Sequence, residues 1–253
     1  MILLSLDFET TGLDREQDEV IEVGAILYST GQRKCLESAG YLVKPTAKTI
    51  SKEITELTGV HPVAVEKFGF SAQQGLDNII ELAKQADAII GQNVVRFDKH
   101  FLDNWCKRER KPIIDKLYID TRTDLPGVKG QTLMLMLAEV GVINLFPHSA
   151  LADAQSVLVL LERHSRFNKF DLPADKYIDK TVELAKSPIV VLKGMQDRGD
   201  NTLAKKQKFS WNPDYKIWWK TVKECQVAEE IAACPFNVSK AGPEVLVEKL
   251  WYS

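Results

Sequence analysis

The stretch Ile2-Leu3-Leu4-Ser5-Leu6-Asp7-Phe8-Glu9-Thr10-Thr11-Gly12 decides how this chain is read. Ile2 to Phe8 is an apolar run of strand length that meets two acids one residue apart. On a strand, residues i and i+2 point to the same face. Asp7 and Glu9 therefore stand side by side, with Phe8 turned to the opposite face. Two carboxylates at the edge of an apolar strand repel each other and cost stability unless something neutralises them. Hard oxygen ligands suit a divalent cation such as Mg2+ or Mn2+. Two exposed acids at a strand end are the plain alternative, and this stretch alone leaves both open.

Outward from that strand, Val20 to Tyr28 and Ser38 to Val43 read as two further strands, close enough for an antiparallel meander. The period then changes. Ser71 to Ala86 has helical spacing of its apolar residues, Ala88 to Gly91 is a short strand, and Phe97 to Arg110 is helical. Leu117 to Ile119 reads as a strand, and Gln131 to Val140 and Leu151 to His164 as helices. Three strands followed by alternating helix and strand predict an α/β fold with a mixed five-stranded sheet and flanking helices.

Two more stretches bring acids toward the same place. In Gly91-Gln92-Asn93-Val94-Val95-Arg96-Phe97-Asp98, Asp98 falls at a helix start, where it is a site ligand or an ordinary N-cap. In His148-Ser149-Ala150-Leu151-Ala152-Asp153, Asp153 sits in the first turns of an apolar helix, either facing solvent or aimed at a site. His148 lies on the loop before it, where a histidine is a structural or solvated group unless a site lies nearby.

The order Asp-x-Glu-Thr-x-Gly, Asn-x3-Phe-Asp and His-x4-Asp resembles the three motifs of the DEDDh 3′→5′ exonucleases, a family that includes proofreading subunits, RNase T, oligoribonuclease and exonuclease X. The resemblance spans roughly residues 1–165. Thr58-Gly59-Val60 is similar to a family turn, and Tyr118-Ile119-Asp120-Thr121 to its fifth strand. The sister DEDDy branch has Tyr four residues before the last Asp, where this chain has Ser149. The resemblance implies an RNase H-like fold and two divalent ions, Mg2+ or Mn2+, held by Asp7, Glu9, Asp98 and Asp153, with Asp7 bridging them. His148 would be the general base, since imidazole titrates near neutral pH. Thr10, Thr11, Gly12 and Leu13 would hold and wedge the terminal nucleotide, the glycine allowing close backbone approach. Asn93 and Phe97 match positions near the scissile nucleotide, with a turn-forming Asn and a core Phe as the alternatives. Asp120 is a decoy whose expected role is a cap or turn contact.

The implied substrate is a nucleic acid with a 3′ end, DNA ahead of RNA. A ribonuclease of the same fold is the alternative, and a non-catalytic nucleic-acid-binding protein the remote one. Composition neither helps nor objects. The chain of 253 residues has a net charge of −2, so its overall field does not mark it as a nucleic-acid binder. The four cysteines have neither disulfide nor zinc spacing, and no apolar run reaches the length of a membrane span. A cytoplasmic protein without membrane association is the expectation; nothing in the sequence names a protein partner.

A second region follows. Residues 1–167 are expected to form the exonuclease domain, 168–188 a connector with some helix around Lys176 to Lys186, and 189–253 a small α+β module. Ile189 to Leu192 reads as a strand, Asn201 to Phe209 as a short helix, and Lys216 to Lys220 as a strand. Residues 193–223 carry eight Lys/Arg against three Asp/Glu, interleaved with Phe209, Trp211, Tyr215, Trp218 and Trp219. Cations with stacking rings are one way to grip single strands; a small aromatic core solvated by lysines is the other explanation. Alternation groups Ile217 with Trp219, and Lys216 with Trp218 and Lys220. On that pattern Trp218 is the expected exposed platform, with Lys205, Lys206, Lys208 and Lys220 around it.

Overall fold

The structure is a computed structural model that describes residues 1–128, 132–168, 170–195 and 202–242. It divides into two compact units, Met1–Ala185 and Lys186–Ser253. In the first, β1 (Ile2–Thr10), β2 (Val20–Ser29) and β3 (Lys34–Leu42) are followed by α1 (Lys52–Thr58), α2 (Pro62–Phe68) and α3 (Ala72–Gln85). Then come β4 (Ala88–Gly91), α4 (Asp98–Arg108), β5 (Leu117–Asp120), α5 (Leu133–Glu139), α6 (Ala150–Arg166) and α7 (Ala174–Lys186). The sheet order is β3-β2-β1-β4-β5, with the first three strands antiparallel and β4 and β5 parallel to β1. This is the expected mixed five-stranded sheet with flanking helices.

β1 is central and its two faces have different work. Leu4, Leu6 and Phe8 join the core cluster that includes Leu76 and Ile79 of α3 and Phe101, Leu102 and Trp105 of α4. The Phe8 and Trp105 rings meet edge-on, with centroids 6.2 Å apart. Leu3 belongs to the opposite cluster, with Val157, Leu158 and Leu161 of α6. By the strand period Ser5, Asp7 and Glu9 share the Leu3 face. The buried Ser5 hydroxyl donates to the Ala154 carbonyl at 2.7 Å, fastening α6 to β1 one residue past Asp153.

Helix α3 starts as sequence rules require. Ser71 and Gln74 form a reciprocal capping box, and Leu76, Ile79, Leu82 and Ala83 turn inward at helical spacing. The short α1 and α2 were not expected. α1 ends at Gly59, whose φ of 73° is the left-handed C-cap conformation, within the Thr58-Gly59-Val60 turn. The expected connector at 168–188 is helical where helix was expected, around Lys176 to Lys186, but it packs into the first unit, which is a second difference. Its α7 buries Tyr177, Thr181 and Leu184, and Tyr177 donates its hydroxyl to the Pro126 carbonyl at 3.1 Å. That apolar face needs a core to cover it, so the first unit runs to Ala185 rather than stopping near Phe167.

The second unit holds a four-stranded antiparallel sheet of order β7-β8-β6-β9. Its elements are β6 (Ile189–Met195), α8 (Thr202–Lys206), β7 (Ser210–Asn212), β8 (Ile217–Lys223), a single 3-10 turn at Glu224–Gln226, α9 (Val227–Ala232) and β9 (Asn237–Lys240). Leu192, Ala204, Phe209, Trp218 and Val238 make its core. Trp218 is 7% exposed, so it is a core side chain and not the exposed platform. The alternation was read correctly, since Ile217 and Trp219 do lie on the other side with Val191. Which side becomes covered is set by Ala204 of α8 and Ile231 of α9, and strand periodicity does not carry that information. Among the described residues no helix is long and apolar enough to cross a membrane.

Gly24 of β2 tests how α6 is seated. A Cβ there would fall 2.1 Å from the carbonyl carbon and oxygen of Ala150, both backbone atoms that cannot swing aside. Gly24→Ala is expected to destabilise the protein by about 1–3 kcal/mol or more through overpacking. Urea denaturation measures this; an unchanged midpoint would show that α6 does not press on β2.

Candidate active site

At its start β1 is hydrogen-bonded on both sides, to β2 throughout and to β4 over Leu3–Ser5. Beyond Ser5 the β4 side opens, and the Phe8 N–H donates to Asp98 Oδ1 at 3.0 Å. The acid 90 residues away thus occupies the place of a missing strand, between the positions of Asp7 and Glu9. Asp98 is the first residue of α4, while Phe97 holds the N-cap position without a side-chain cap bond. The N-cap alternative for Asp98 therefore fails. The β1–β2 register also shifts between Glu9 and Thr10, a bulge at the acid pair itself.

Asp153 comes from the first turn of α6. Its Oδ2 accepts the His148 N–H at 3.0 Å and its Oδ1 accepts Asn144 Nδ2 at 2.6 Å. His148 is exposed, with a left-handed φ of 61°. Donor atoms of Glu9, His148 and Asp153 lie within 4.8 Å of one another, the one such trio of potential metal ligands among the described residues.

Sequence reasoning missed Glu22. It faces Glu9 across the β1–β2 ladder, and its Oε2 accepts the Ala150 N–H at 3.4 Å, at the start of α6. A lone acid in the apolar run Val20-Ile21-Glu22-Val23 was the available signal. Cross-strand register, which that run does not encode, was needed to bring it to Glu9. Asn144 was missed for a similar reason, as a loop residue whose partner is fixed only by the fold.

The electrostatics are those of crowded acids. Burial first, then Asp98, Asp153, Glu9 and Glu22, holds the Asp7 carboxyl well above its usual range. Burial, then Glu22, Asp153 and Asp98, pushes Glu9 up to about 8. Burial also pushes Asp98 up to about 8, against the pull of its backbone hydrogen bonds. Glu22 and Asp153 are raised by burial as well. A cluster of acids that resists losing its protons is a cluster short of positive charge, and the donor set of carboxylates with one adjacent imidazole fits divalent cations.

The substrate-side residues divide. Leu13 is 82% exposed beside the acid strand. The Thr10 hydroxyl donates to the Gly12 carbonyl at 2.6 Å and the Thr11 hydroxyl to Asp18 Oδ1 at 2.9 Å, so both hydroxyls shape their own loop. A Cβ at Gly12 would fall 2.3 Å from Asp18 Oδ2, so a side chain there would have to displace the Asp18 carboxylate. Asn93 is a turn residue, with φ of 59°, its N–H on Asp120 Oδ1 at 3.0 Å and its Oδ1 taking Arg122 Nη1 at 3.2 Å. Phe97 packs on Phe101 at the core margin. Asp120 is the turn contact expected, accepting the N–H groups of Asn93 and Arg122. In the second unit Lys205, Lys206 and Lys208 are exposed. Lys220 is not a free surface cation: it pairs with Glu230 and lies over the Phe209 ring.

Comparison with known proteins gives the family and the fold. Residues 4–161 match the family model described as Exonuclease. The PolC-type DNA polymerase III of Thermotoga maritima is 31% identical over 155 residues, 59% of this chain and 11% of that protein. That of Mycoplasmopsis pulmonis is 33% identical over 116 residues, 44% of this chain and 8% of that protein. The chain thus spans about a tenth of the length of these curated relatives. Among solved structures, E. coli Exonuclease I with a dA16 oligonucleotide superposes with a TM-score of 0.60 at 16% identity, covering 79% of this chain and 49% of that one. The nuclease domain of 3′hExo, a DEDDh family member bound to rAMP, superposes with a TM-score of 0.57 at 22% identity, covering 65% and 92%. At such identities the likeness is one of fold.

The raised carboxyls fix the sign of a pH dependence. Glu9 and Asp98 hold protons in the folded state up to about 8, whereas in the unfolded chain they release them near 4. Between those values the folded state binds more protons, so stability falls as pH rises. In chelator, the melting temperature is expected to drop from pH 5 to pH 8, and added Mn2+ to raise it more at pH 8 than at pH 5. Thermal denaturation at both pH values checks this; a chelated protein more stable at pH 8 would contradict it.

Proposed function

The chain belongs to the exonuclease family, and on that premise we propose that it hydrolyses phosphodiester bonds at the 3′ ends of nucleic acid, in the manner of the DEDDh branch. The observation that carries this is the meeting of Glu9 of β1 with His148 and Asp153, from the loop before α6 and its first turn, within 4.8 Å. The Asp7 and Asp98 charges act on the same group. DNA is the favoured substrate, a choice supported by the naming of the PolC-type relatives as DNA polymerases.

Asp7, Glu9, Asp98 and Asp153 would hold two divalent ions, which when bound supply charge neutralisation and Lewis-acid stabilisation of the attacked phosphate. The other steps belong to the chain. Asp98 is fixed by the Phe8 amide and Asp153 by His148 N–H and Asn144, so neither acid must reorganise to meet its ligand. His148, exposed beside Glu9 and Asp153, takes the proton of the attacking water. Leu13 meets the terminal nucleotide from the end of the acid strand. The exposed Lys205, Lys206 and Lys208 give the second unit a salt-sensitive contact with longer strands.

His148→Ala is expected to lower kcat by about a hundredfold to ten-thousandfold while Mn2+ still raises the melting temperature; Asp7→Ala loses both. The assay is mononucleotide release from 3′-labelled single-stranded DNA, duplex DNA and RNA with Mg2+ or Mn2+, against a chelator control. Wild-type rates in His148→Ala would remove the general-base role. Faster release from RNA than from DNA would reverse the choice of sugar.

A further inference from the structure

The parallel strands β1, β4 and β5 lie side by side, and open α/β sheets gather their ligands beyond the carboxyl ends of such strands. The end of β1 carries the acid pair. β4 is followed by Asn93, and β5 by Arg122. Arg122 Nη1 donates to Asn93 Oδ1 at 3.2 Å, and the Arg122 backbone N–H donates to Asp120 Oδ1 at 3.0 Å. The same Asp120 oxygen accepts the Asn93 N–H at 3.0 Å. Both partners of the Arg122–Asn93 contact are therefore braced on one buried carboxylate, with Asn93 at its left-handed φ of 59°.

Hydrogen bonds also fix how far this brace lies from the acids. The Asn93 carbonyl accepts the Phe97 N–H at 3.0 Å, closing a single helical turn, and Asp98 is the next residue. Asp98 Oδ1 in turn accepts the Phe8 N–H at 3.0 Å, between Asp7 and Glu9. One such turn advances about 6 Å and one residue about 3.8 Å, so the Cα atoms of Asn93 and Asp98 lie within about 10 Å of each other. Nucleotides repeat every 3.4 Å or so along a strand, which puts the brace about three nucleotides from the acids.

Arg122 is half-buried, and among the described residues no carboxylate forms an ion pair with it. Among those residues its charge contributes to no shift of Asp7, Glu9, Asp98 or Asp120, so it is not a counter-ion of the acid cluster. A guanidinium oriented by a neutral amide oxygen keeps its charge, and its other N–H donors are available to an anion. The anionic part of a nucleic acid is its phosphates, and arginine is suited to them in charge and in shape.

We propose that Arg122, oriented by Asn93, is a phosphate site that takes a backbone phosphodiester of the strand a few nucleotides from its 3′ end. The inference rests on the proposed exonuclease function and gives the strand a hold that does not depend on the metal ions. The 5′-phosphate of a released mononucleotide offers the same chemistry from another source. Bracing the turn after β5 is the competing role, and the test separates the three.

The measurement is binding, by fluorescence anisotropy with Mn2+, of a single-stranded DNA oligonucleotide whose terminal linkage is a phosphorothioate to slow cleavage. In a series, one uncharged methylphosphonate replaces the second, third or fourth linkage from the 3′ end. Wild-type protein is expected to bind the strand neutralised at one of these positions about tenfold more weakly than the parent strand. Arg122→Gln, which can still donate to Asn93, is expected to lose that position-specific difference, and Arg122→Lys to keep part of it. The slope of log affinity against log salt on the parent strand is expected to fall by about 0.7 in Arg122→Gln, the loss of one phosphate contact. Competition by dAMP against deoxyadenosine covers the other source. If Arg122→Gln weakens dAMP alone, the phosphate site stands and its ligand is the released mononucleotide. An unchanged position dependence together with unchanged dAMP binding overturns the inference, even where overall affinity falls, because Arg122 then only braces its turn. Mononucleotide release from an all-phosphodiester strand is read separately. Arg122-dependent phosphate binding with no release by the wild-type protein upholds the site and removes the exonuclease reading.

Discussion

The structure depends on one unfavourable arrangement, a set of carboxylates brought together at the end of an apolar strand. Burial holds Asp7, Glu9, Glu22, Asp98 and Asp153 above their usual range, and repulsion from neighbouring acids adds to it at Asp7, Glu9, Glu22 and Asp98. Such a group would spread apart if its supports allowed it. They do not. Leu4, Leu6 and Phe8 lock one face of β1 against α3 and α4, and Ser5 ties the other face to α6. Gly24 lets α6 come close enough for Asp153 to join. The core and the site are thus one problem, since the rigidity that keeps the acids together is the packing that forms the sheet.

Three of the acids are also held by a donor from the backbone or from a neutral side chain. Asp98 takes the Phe8 amide and Asp153 takes His148 N–H and Asn144. Glu22 takes the Ala150 N–H at the mouth of α6. These bonds lower the proton affinity that burial raises, so they favour the charged form without bringing in a competing cation. Among the described residues, no lysine or arginine contributes to the shifts of Asp7 or Glu9. A fixed ammonium there would relieve the repulsion permanently and remove the reason to bind an ion. Neutral donors keep the acids oriented and still short of positive charge.

What was legible in the sequence follows from range. Asp7 and Glu9 share a face because of a two-residue period, and His148 precedes Asp153 by a fixed local spacing. Both survive translation into three dimensions because strands and helix starts preserve them. Glu22 required the β1–β2 register and Asn144 the path of a loop, and neither is written locally. The alternation in β8 paired Trp218 with Lys220 correctly, yet the choice of covered side came from α8 and α9. The helix expected around Lys176 to Lys186 is present as α7, but that Tyr177 and Leu184 carry it into a core is something composition could not reveal.

The loop before α6 joins these threads. A carboxylate that accepts from both Asn144 and His148 fixes that loop as firmly as the loop fixes the carboxylate. Exposing Ile143, Leu145 and Phe146 on a tightly bonded loop costs solvation that a looser loop could avoid by folding them inward. The loop's hydrogen bonds oppose that collapse, and two of them, from Asn144 and His148, end on Asp153. The apolar surface is therefore maintained by the same contacts that orient Asp153.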